Sequence, residues 1–386
     1  MYQIKTLNKI SPVGLANLDA TKYVCSDNAE SPSGILVRSA DMKEYPFNDE
    51  LLCIARAGAG VNNIPVADCA EKGVVVFNTP GANANAVKEL VLCALLLSSR
   101  KIVDGINWTK SLAGEENVSK LVEKGKSQFV GPEITGKKLG VIGLGAIGIL
   151  VANAAVALGM EVYGYDPYIS VDAAWHLSRA VQHAKDLKTI FENCDYITLH
   201  VPATDETKNT IRAQTLATMK DGVRIINMAR NELVNSKDMI EALESGKAAA
   251  YVTDFADNEL LGAKNVIAMP HLGASTPESE DNCACMAVKE MTDYIEHGII
   301  KNSVNFPNLE APVGGVTRVL VLHRNVPKVV NNITNIFAEE NINIENMENR
   351  SKRDNALTAI DVNVRPSDEL IAKLREIPDT FAVRVF

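Results

Sequence analysis

At 386 residues the chain is longer than one ordinary hydrophobic core organises, so two or three domains are expected. Hydrophobic residues make up 46% and charged residues 23%, a soluble globular balance, and the net charge of −9 argues against nucleic acid, whose phosphates attract basic surfaces. The longest apolar run, near Leu90 to Leu97, is far shorter than the roughly 20 residues that span a bilayer, so no membrane is expected.

The start, Met1-Tyr-Gln-Ile-Lys5, lacks an apolar signal core. The seven cysteines are odd in number and form no Cys-x-x-Cys pair. Reduced core thiols in a cytoplasmic protein without a metal are therefore expected. The first hundred residues alternate short apolar strands with helical stretches. Gly34 to Arg38, Leu51 to Ala55 and Gly73 to Phe77 read as strands of a small parallel sheet. A long apolar helix from about Asn85 to Ser99 suits a buried helix joining two domains. Residues 101–136 are more polar and carry no clear strand, which fits either a surface excursion or an arm packing on a second subunit.

Leu139-Gly-Val-Ile-Gly143-Leu-Gly145-Ala-Ile-Gly148 then runs from an apolar strand through three glycines into a helix. From Ile147 the apolar residues recur at Leu150, Val151, Ala154 and Leu158, and Gly159 follows where a helix would stop. A second strand, Glu161 to Tyr165, ends in Asp166, 18 residues beyond Gly148. Strand, glycine turn, helix, strand and acid in that order are the dinucleotide pattern. Bare α-carbons let the backbone approach a diphosphate, the helix N-terminus offers unpartnered amides, and the acid accepts from the ribose. With no arginine beside Asp166, NAD is expected over NADP. Four further strands, Asp195 to His200, Val223 to Asn227, Ala249 to Thr253 and Val266 to Met269, complete a six-stranded doubly wound sheet.

Three loops after these strands carry the groups suited to oxidising a hydroxy acid. Asn227-Met-Ala-Arg230 supplies a planar cation able to hold a carboxylate through two bonds. Thr253-Asp254-Phe-Ala-Asp-Asn-Glu259 supplies carboxylates, and Met269-Pro-His271 an imidazole whose ordinary pKa suits a general base. Glu259 beside His271 would orient the ring, and Asp254 would meet the nicotinamide carboxamide. A helix from roughly Pro277 to Gly298 is followed by a proline- and glycine-bearing linker. Val319 to Leu322, a helix through Val329, Ile333 and Phe337, strands near Ile342 to Ile344 and Ala356 to Val362, a helix over Ser367 to Ile377 and a strand over Phe381 to Phe386 give β-α-β-β-α-β.

With these motifs the chain resembles the D-isomer-specific 2-hydroxyacid dehydrogenases. The resemblance rests on Ala55-Arg-Ala-Gly-Ala-Gly60-Val-Asn-Asn-Ile, Val76-Phe-Asn-Thr-Pro, the glycine turn, Leu199-His-Val-Pro, the Arg230 block and Pro270-His-Leu-Gly-Ala-Ser-Thr-Pro-Glu. It implies an α/β protein with two Rossmann-like doubly wound domains and a C-terminal ferredoxin-like domain. The implied boundaries are 1–95 with 276–302 for substrate, 96–275 for NAD, 303–315 as linker and 316–386 as an ACT-like regulatory module. It implies Arg230, Glu259 and His271 as catalytic residues. Cofactor contacts fall on Gly143, Gly145, Ala146, Ile147, Gly148, Asp166, Met228, Ala229, Arg230, Asp254, His271, Leu272, Gly273 and Ala274. The substrate carboxylate is received at Gly58, Ala59 and Gly60 with Arg230 and His271, and Arg38 and Arg56 are the candidates for a phosphate.

The implied activity is NAD-dependent oxidation of a phosphorylated 2-hydroxy acid at the entry to serine synthesis, in a homodimer or homotetramer. The alternatives are reduction of another 2-oxo acid such as 2-oxoglutarate, and an NAD-sensing interaction protein without catalysis. In the tail, His323, Asn325 and Asn343 match positions that hold serine, whereas Lys328 stands where the pattern has glycine. Effector binding and assembly alone both stay open.

Overall fold

The computed structural model describes residues 1–386. By contact density the chain divides into Met1–Ala82 with Pro277–Phe386, and Asn83–Thr276. The first unit opens with strands β1 (Tyr2–Leu7), β2 (Tyr23–Ser26), β3 (Gly34–Val37), β4 (Cys53–Arg56) and β5 (Val75–Asn78), all parallel in the order β2-β1-β3-β4-β5. β3 and β5 are apolar runs that bury on both faces, as parallel strands covered by helices must. β1 and β2 escaped the sequence pattern because each buries only one residue, Ile4 and Tyr23.

The second unit holds β6 (Lys138–Ile142), β7 (Glu161–Tyr165), β8 (Gln182–His183), β9 (Tyr196–Leu199), β10 (Val223–Asn227), β11 (Ala248–Thr253) and β12 (Val266–Ala268). Their order, β12-β11-β10-β9-β6-β7-β8, is that of a doubly wound sheet reversing between β6 and β9, with one two-residue strand more than expected. Helix Ala84–Arg100 lies wholly in this unit, where Val87, Val91, Ala94 and Leu95 join the core behind the sheet. The chain therefore divides before this helix, not inside it near residue 95. Helices Ile102–Ser111 and Val118–Gly125 follow and bury no residue of their own.

The helix after the glycine turn, Ala146–Ala157, buries Gly148, Ile149, Val151, Ala152 and Ala155, while Leu150 and Leu158 are exposed. The helix expected from the recurrence of Leu150, Val151, Ala154 and Leu158 is present, and of these Val151 is the one fully buried. The helix is apolar all round, so periodicity could not choose, and close packing on the strand selects the small residues.

Back in the first unit, helix Pro277–His297 packs on the first sheet through Cys283, Ala287, Val288, Met291 and Tyr294. The segment expected as a linker is instead packed core. Phe306 and Leu309 are fully buried, and the Asn305 side chain bonds Val76 N and Val74 O at 3.0 and 2.9 Å. Strands β13 (Thr317–Arg324), β14 (Asn346–Lys352), β15 (Asn355–Val362) and β16 (Thr380–Val385) form an antiparallel sheet in the order β14-β15-β13-β16. The strand expected at Ile342 to Ile344 begins instead at Asn346, because both isoleucines pack against the small domain's own core.

Alternation along β13 explains how this sheet is held. Val319 and Val321 face helices Val329–Glu339 and Asp368–Arg375, whereas Leu320 and Leu322 enter the core of the first sheet. The tail is thus one compact body with the N-terminal sheet. Next to Leu320, Arg318 pairs bidentately with Asp361 through Nε and Nη2, both residues 1% exposed, while Nη1 donates to Ala311 O and Nη2 also to Pro312 O. All seven cysteines are free, four of them buried, and no helix is long and apolar enough to cross a membrane.

Candidate active site

Within the second unit the glycine turn leads from β6 into its helix. Gly143 has φ +94°, its amide bonds Tyr165 O at 2.8 Å, and a Cβ there would meet His200 O at 2.5 Å. At Gly148 a Cβ would lie 1.9 Å from Gly143 O, so glycine is what lets the helix sit against its own turn. Gly145 differs. A Cβ there meets nothing within 4 Å, and as N-cap it offers no side chain to the helix amides. Open space in front of uncapped amides is what a diphosphate requires. Asp166 ends β7, and its two oxygens accept from Leu144 N at 2.8 Å and Tyr168 N at 2.9 Å, which holds the carboxylate beside the turn.

At the ends of β10, β11 and β12 stand the residues for chemistry. Arg230 is exposed after Met228 and Ala229, with Nη1 resting on Ala229 O at 2.6 Å. Asp254 is 2% exposed; Oδ2 accepts from Gly273 N at 3.1 Å, and Oδ1 is buried without a partner. Burial raises its pKa, opposed by the nearby charges of His271 and Arg230. His271 is exposed, its ring 4.8 Å from that of Phe255, and Leu272, Gly273 and Ala274 continue its loop. Asp254, Arg230 and His271 are therefore brought together.

Glu259 is not joined to them as expected. It is exposed on the turn after β11, and its carboxylate makes no hydrogen bond or ion pair with the imidazole. The direction of that turn is set by Asp257, a residue that sequence reasoning gave no role. Its Oδ1 accepts from Glu259 N and Leu260 N at 3.0 and 2.8 Å, and its Oδ2 from Ser236 Oγ at 2.7 Å. An aspartate in the loop after a strand, able to accept from the amides two and three residues on, is an Asx-turn signal and could have been read. His200 was also passed over. Burial pushes its pKa down to about 3, its Nε2 bonds Thr198 Oγ1 at 3.0 Å, and it stays neutral behind the glycine turn.

In the first unit Gly58 has φ +151°, and the Arg56 guanidinium lies across it, 2.4 Å from where a Cβ would stand. Asn78 Nδ2 bonds Ala59 O at 2.6 Å and Thr79 N bonds Gly58 O at 3.2 Å, which shapes the turn leading to Gly60. Arg38 is engaged elsewhere, paired with Glu280 at 2.7 Å. In the tail, His323 is buried with Nδ1 donating to Arg324 O at 2.7 Å and Nε2 bonded to Thr358 Oγ1 at 2.9 Å. Both ring nitrogens are thus used internally. Asn325 and Asn343 are exposed and bond Arg353 O and Glu345 Oε1. Lys328 holds φ +77°, the left-handed shape that glycine adopts without strain.

The topology, the bare helix N-terminus and the acid at the next strand end define a dinucleotide-binding protein of the Rossmann class. Residues 92–273 match the family model of the D-isomer specific 2-hydroxyacid dehydrogenase NAD-binding domain, and residues 317–379 match that of the ACT domain. The D-3-phosphoglycerate dehydrogenase of Escherichia coli is 30% identical over 99% of this chain and 94% of its own length. That of Methanocaldococcus jannaschii is 36% identical over 79% of this chain, which spans 58% of that longer relative. The NAD+-bound 3-phosphoglycerate dehydrogenase of Entamoeba histolytica superposes with a TM-score of 0.61 at 25% identity, covering 80% of this chain and 99% of that one. The chain belongs to the D-isomer specific 2-hydroxyacid dehydrogenase family, and it carries the family's NAD-binding domain together with an ACT domain.

Proposed function

We propose that the protein oxidises D-3-phosphoglycerate to 3-phosphohydroxypyruvate with NAD, the entry step of serine synthesis. One observation carries the reading. The orphaned, buried Oδ1 of Asp254 sits at a strand end with Arg230 and His271 close enough to pull on its charge. A buried oxygen without a donor asks for one, and a carboxamide NH2 meets that need. The amides of Ala146 and Ile147 would take the diphosphate and Asp166 the ribose. When bound, NAD accepts the hydride that leaves C2 of the hydroxy acid. His271 takes the proton from the C2 hydroxyl oxygen, and Arg230 leaves its resting contact on Ala229 O to hold the carboxylate. Glu259 is assigned to the imidazolium, toward which its exposed side chain is free to turn.

Arg56, lying across the Gly58 turn, is the cation in the first unit suited to a phosphate. The names of the relatives support the substrate. Helices Ile102–Ser111 and Val118–Gly125, with Ile102, Ile106 and Val118 exposed, support contact with a second subunit in a homodimer or homotetramer. Unpaired thiols suit the reducing cytoplasm. The ACT domain supports an amino-acid effector, for which L-serine is the candidate, with assembly alone as the alternative because both His323 ring nitrogens are engaged internally.

The test is His271→Ala, assayed by NADH formation. Turnover falls by about a hundred-fold or more, the contribution of a positioned base, while NADH binding persists. Near-normal turnover would defeat the assignment. A second reading, reduction of an unphosphorylated 2-oxo acid such as 2-oxoglutarate, draws on the pairing of Arg38 with Glu280, which leaves less free positive charge for a phosphate. Comparing phosphorylated and unphosphorylated acids separates the two.

A further inference from the structure

Arg230 has no regular element beneath it. It follows β10 in extended conformation, φ −151° and ψ 142°, ahead of the short 3-10 turn Asn231–Leu233. A residue so placed would wander unless its backbone groups were tied down. One side chain does this. Asn227, the last residue of β10 and fully buried, donates from Nδ2 to Arg230 O at 2.8 Å. Its Oδ1 accepts from Ala229 N at 3.1 Å and from Arg230 N at 3.3 Å. The amide is fixed in turn by the Tyr251 hydroxyl at 3.4 Å, on the neighbouring strand β11. Both backbone polar groups of Arg230 therefore bond to a single amide side chain rooted in the sheet.

We propose that Asn227 is a positioning residue for Arg230: it holds the arginine backbone so that the guanidinium swings from Ala229 O to a substrate carboxylate about a fixed Cα. The proposal rests on the reading of Arg230 given above. Its geometric basis is that only a neutral amide supplies a donor and an acceptor side by side. Aspartate keeps the acceptor but faces Arg230 O with a second oxygen, and alanine removes all three bonds.

The test is a double-mutant cycle on the full-length protein with saturating NAD. Asn227→Ala is expected to lower kcat/KM for the hydroxy acid at least tenfold in the wild-type background. In the Arg230→Ala background it lowers it less than twofold, because no guanidinium remains to be placed. A thermal melt and NADH fluorescence show that each variant is folded. Where Asn227→Ala does not fold, Asn227→Asp, of the same shape but with a charged oxygen in place of the donor, runs through the same cycle with the same expected pattern. Equal losses in both backgrounds, or no loss in either, with Arg230→Ala itself impaired, overturn the proposal and leave the function of Arg230 standing. An unimpaired Arg230→Ala overturns both.

Discussion

The last two glycines of the turn, Gly145 and Gly148, make opposite demands, and replacing each by alanine separates folding from ligand binding. At Gly148 the added Cβ would stand 1.9 Å from Gly143 O, a backbone atom that cannot rotate away. Contact at ordinary distance needs about 3.4 Å, so helix or turn must shift by roughly 1.5 Å, an overpacking that costs on the order of 1–3 kcal/mol. At Gly145 the Cβ meets no protein atom within 4 Å, so no clash opposes folding. The methyl group instead fills space in front of the Ala146 and Ile147 amides. Loss of one charge-assisted bond there is worth about 1.5–3 kcal/mol, or roughly 10- to 150-fold in Kd for NADH. The assay pairs a thermal melt with NADH fluorescence titration for both variants. Gly148→Ala should lower the melting temperature, whereas Gly145→Ala should leave it unchanged and weaken NADH. Unchanged NADH affinity in Gly145→Ala would refute the reasoning, because the open space would then not be where the diphosphate lies.

Other expectations concern the first unit. Burial raises Glu290 from 4.5 to about 7, aided by Asp293 and opposed by the bond from Asn302 and the charge of Lys301. The folded state then holds a proton that the unfolded chain has lost, so stability falls as pH rises from about 4.5 to about 7, by up to ~3 kcal/mol. Urea melts of Glu290→Gln should lack that slope; an identical slope would remove Glu290 as its source. Burial alone would raise Asp361, but Arg318 and the Gly314 amide outweigh it and hold its carboxyl below the usual range. The stabilisation is therefore present above the ordinary aspartate pKa and lost as pH falls through the depressed one. Asp361→Ala, which strands a buried guanidinium, should cost about 3–5 kcal/mol by denaturant melts at neutral pH. Lys328→Gly relieves a left-handed residue and should stabilise by about 1 kcal/mol; a loss in stability would mean that the lysine side chain contributes a contact of its own.

Much of the second unit was legible because its demands are local. Gly148 must be bare because Gly143 O lies against it five residues back, Gly143 takes a left-handed φ, and Asp166 follows one strand later at a distance set by helix and strand lengths. Arg230, Asp254 and His271 could be picked out since each comes just after an apolar strand of a parallel sheet, and such sheets present those ends together. The β-α-β-β-α-β order of the tail was likewise legible in the spacing of its apolar runs, except that its second strand, the polar Asn346–Lys352, lies beyond the run at Ile342 to Ile344.

What only the tertiary structure decided involves partners far apart in the chain. Arg38 meets Glu280, Arg318 meets Asp361, and Phe306 and Leu309 lie in a core with Ile4 and Tyr294. No local pattern encodes those meetings. The same holds for His271, which has Phe255 at its side and Asp254 within its field while Glu259 stands apart, an arrangement set by how Asp257 turns its loop. Alternation showed that β13 has two apolar faces, and docking on the first sheet decided what covers the second. Backbone geometry and period are properties of neighbours in sequence. Pairing, burial and the fate of each charge belong to neighbours in space.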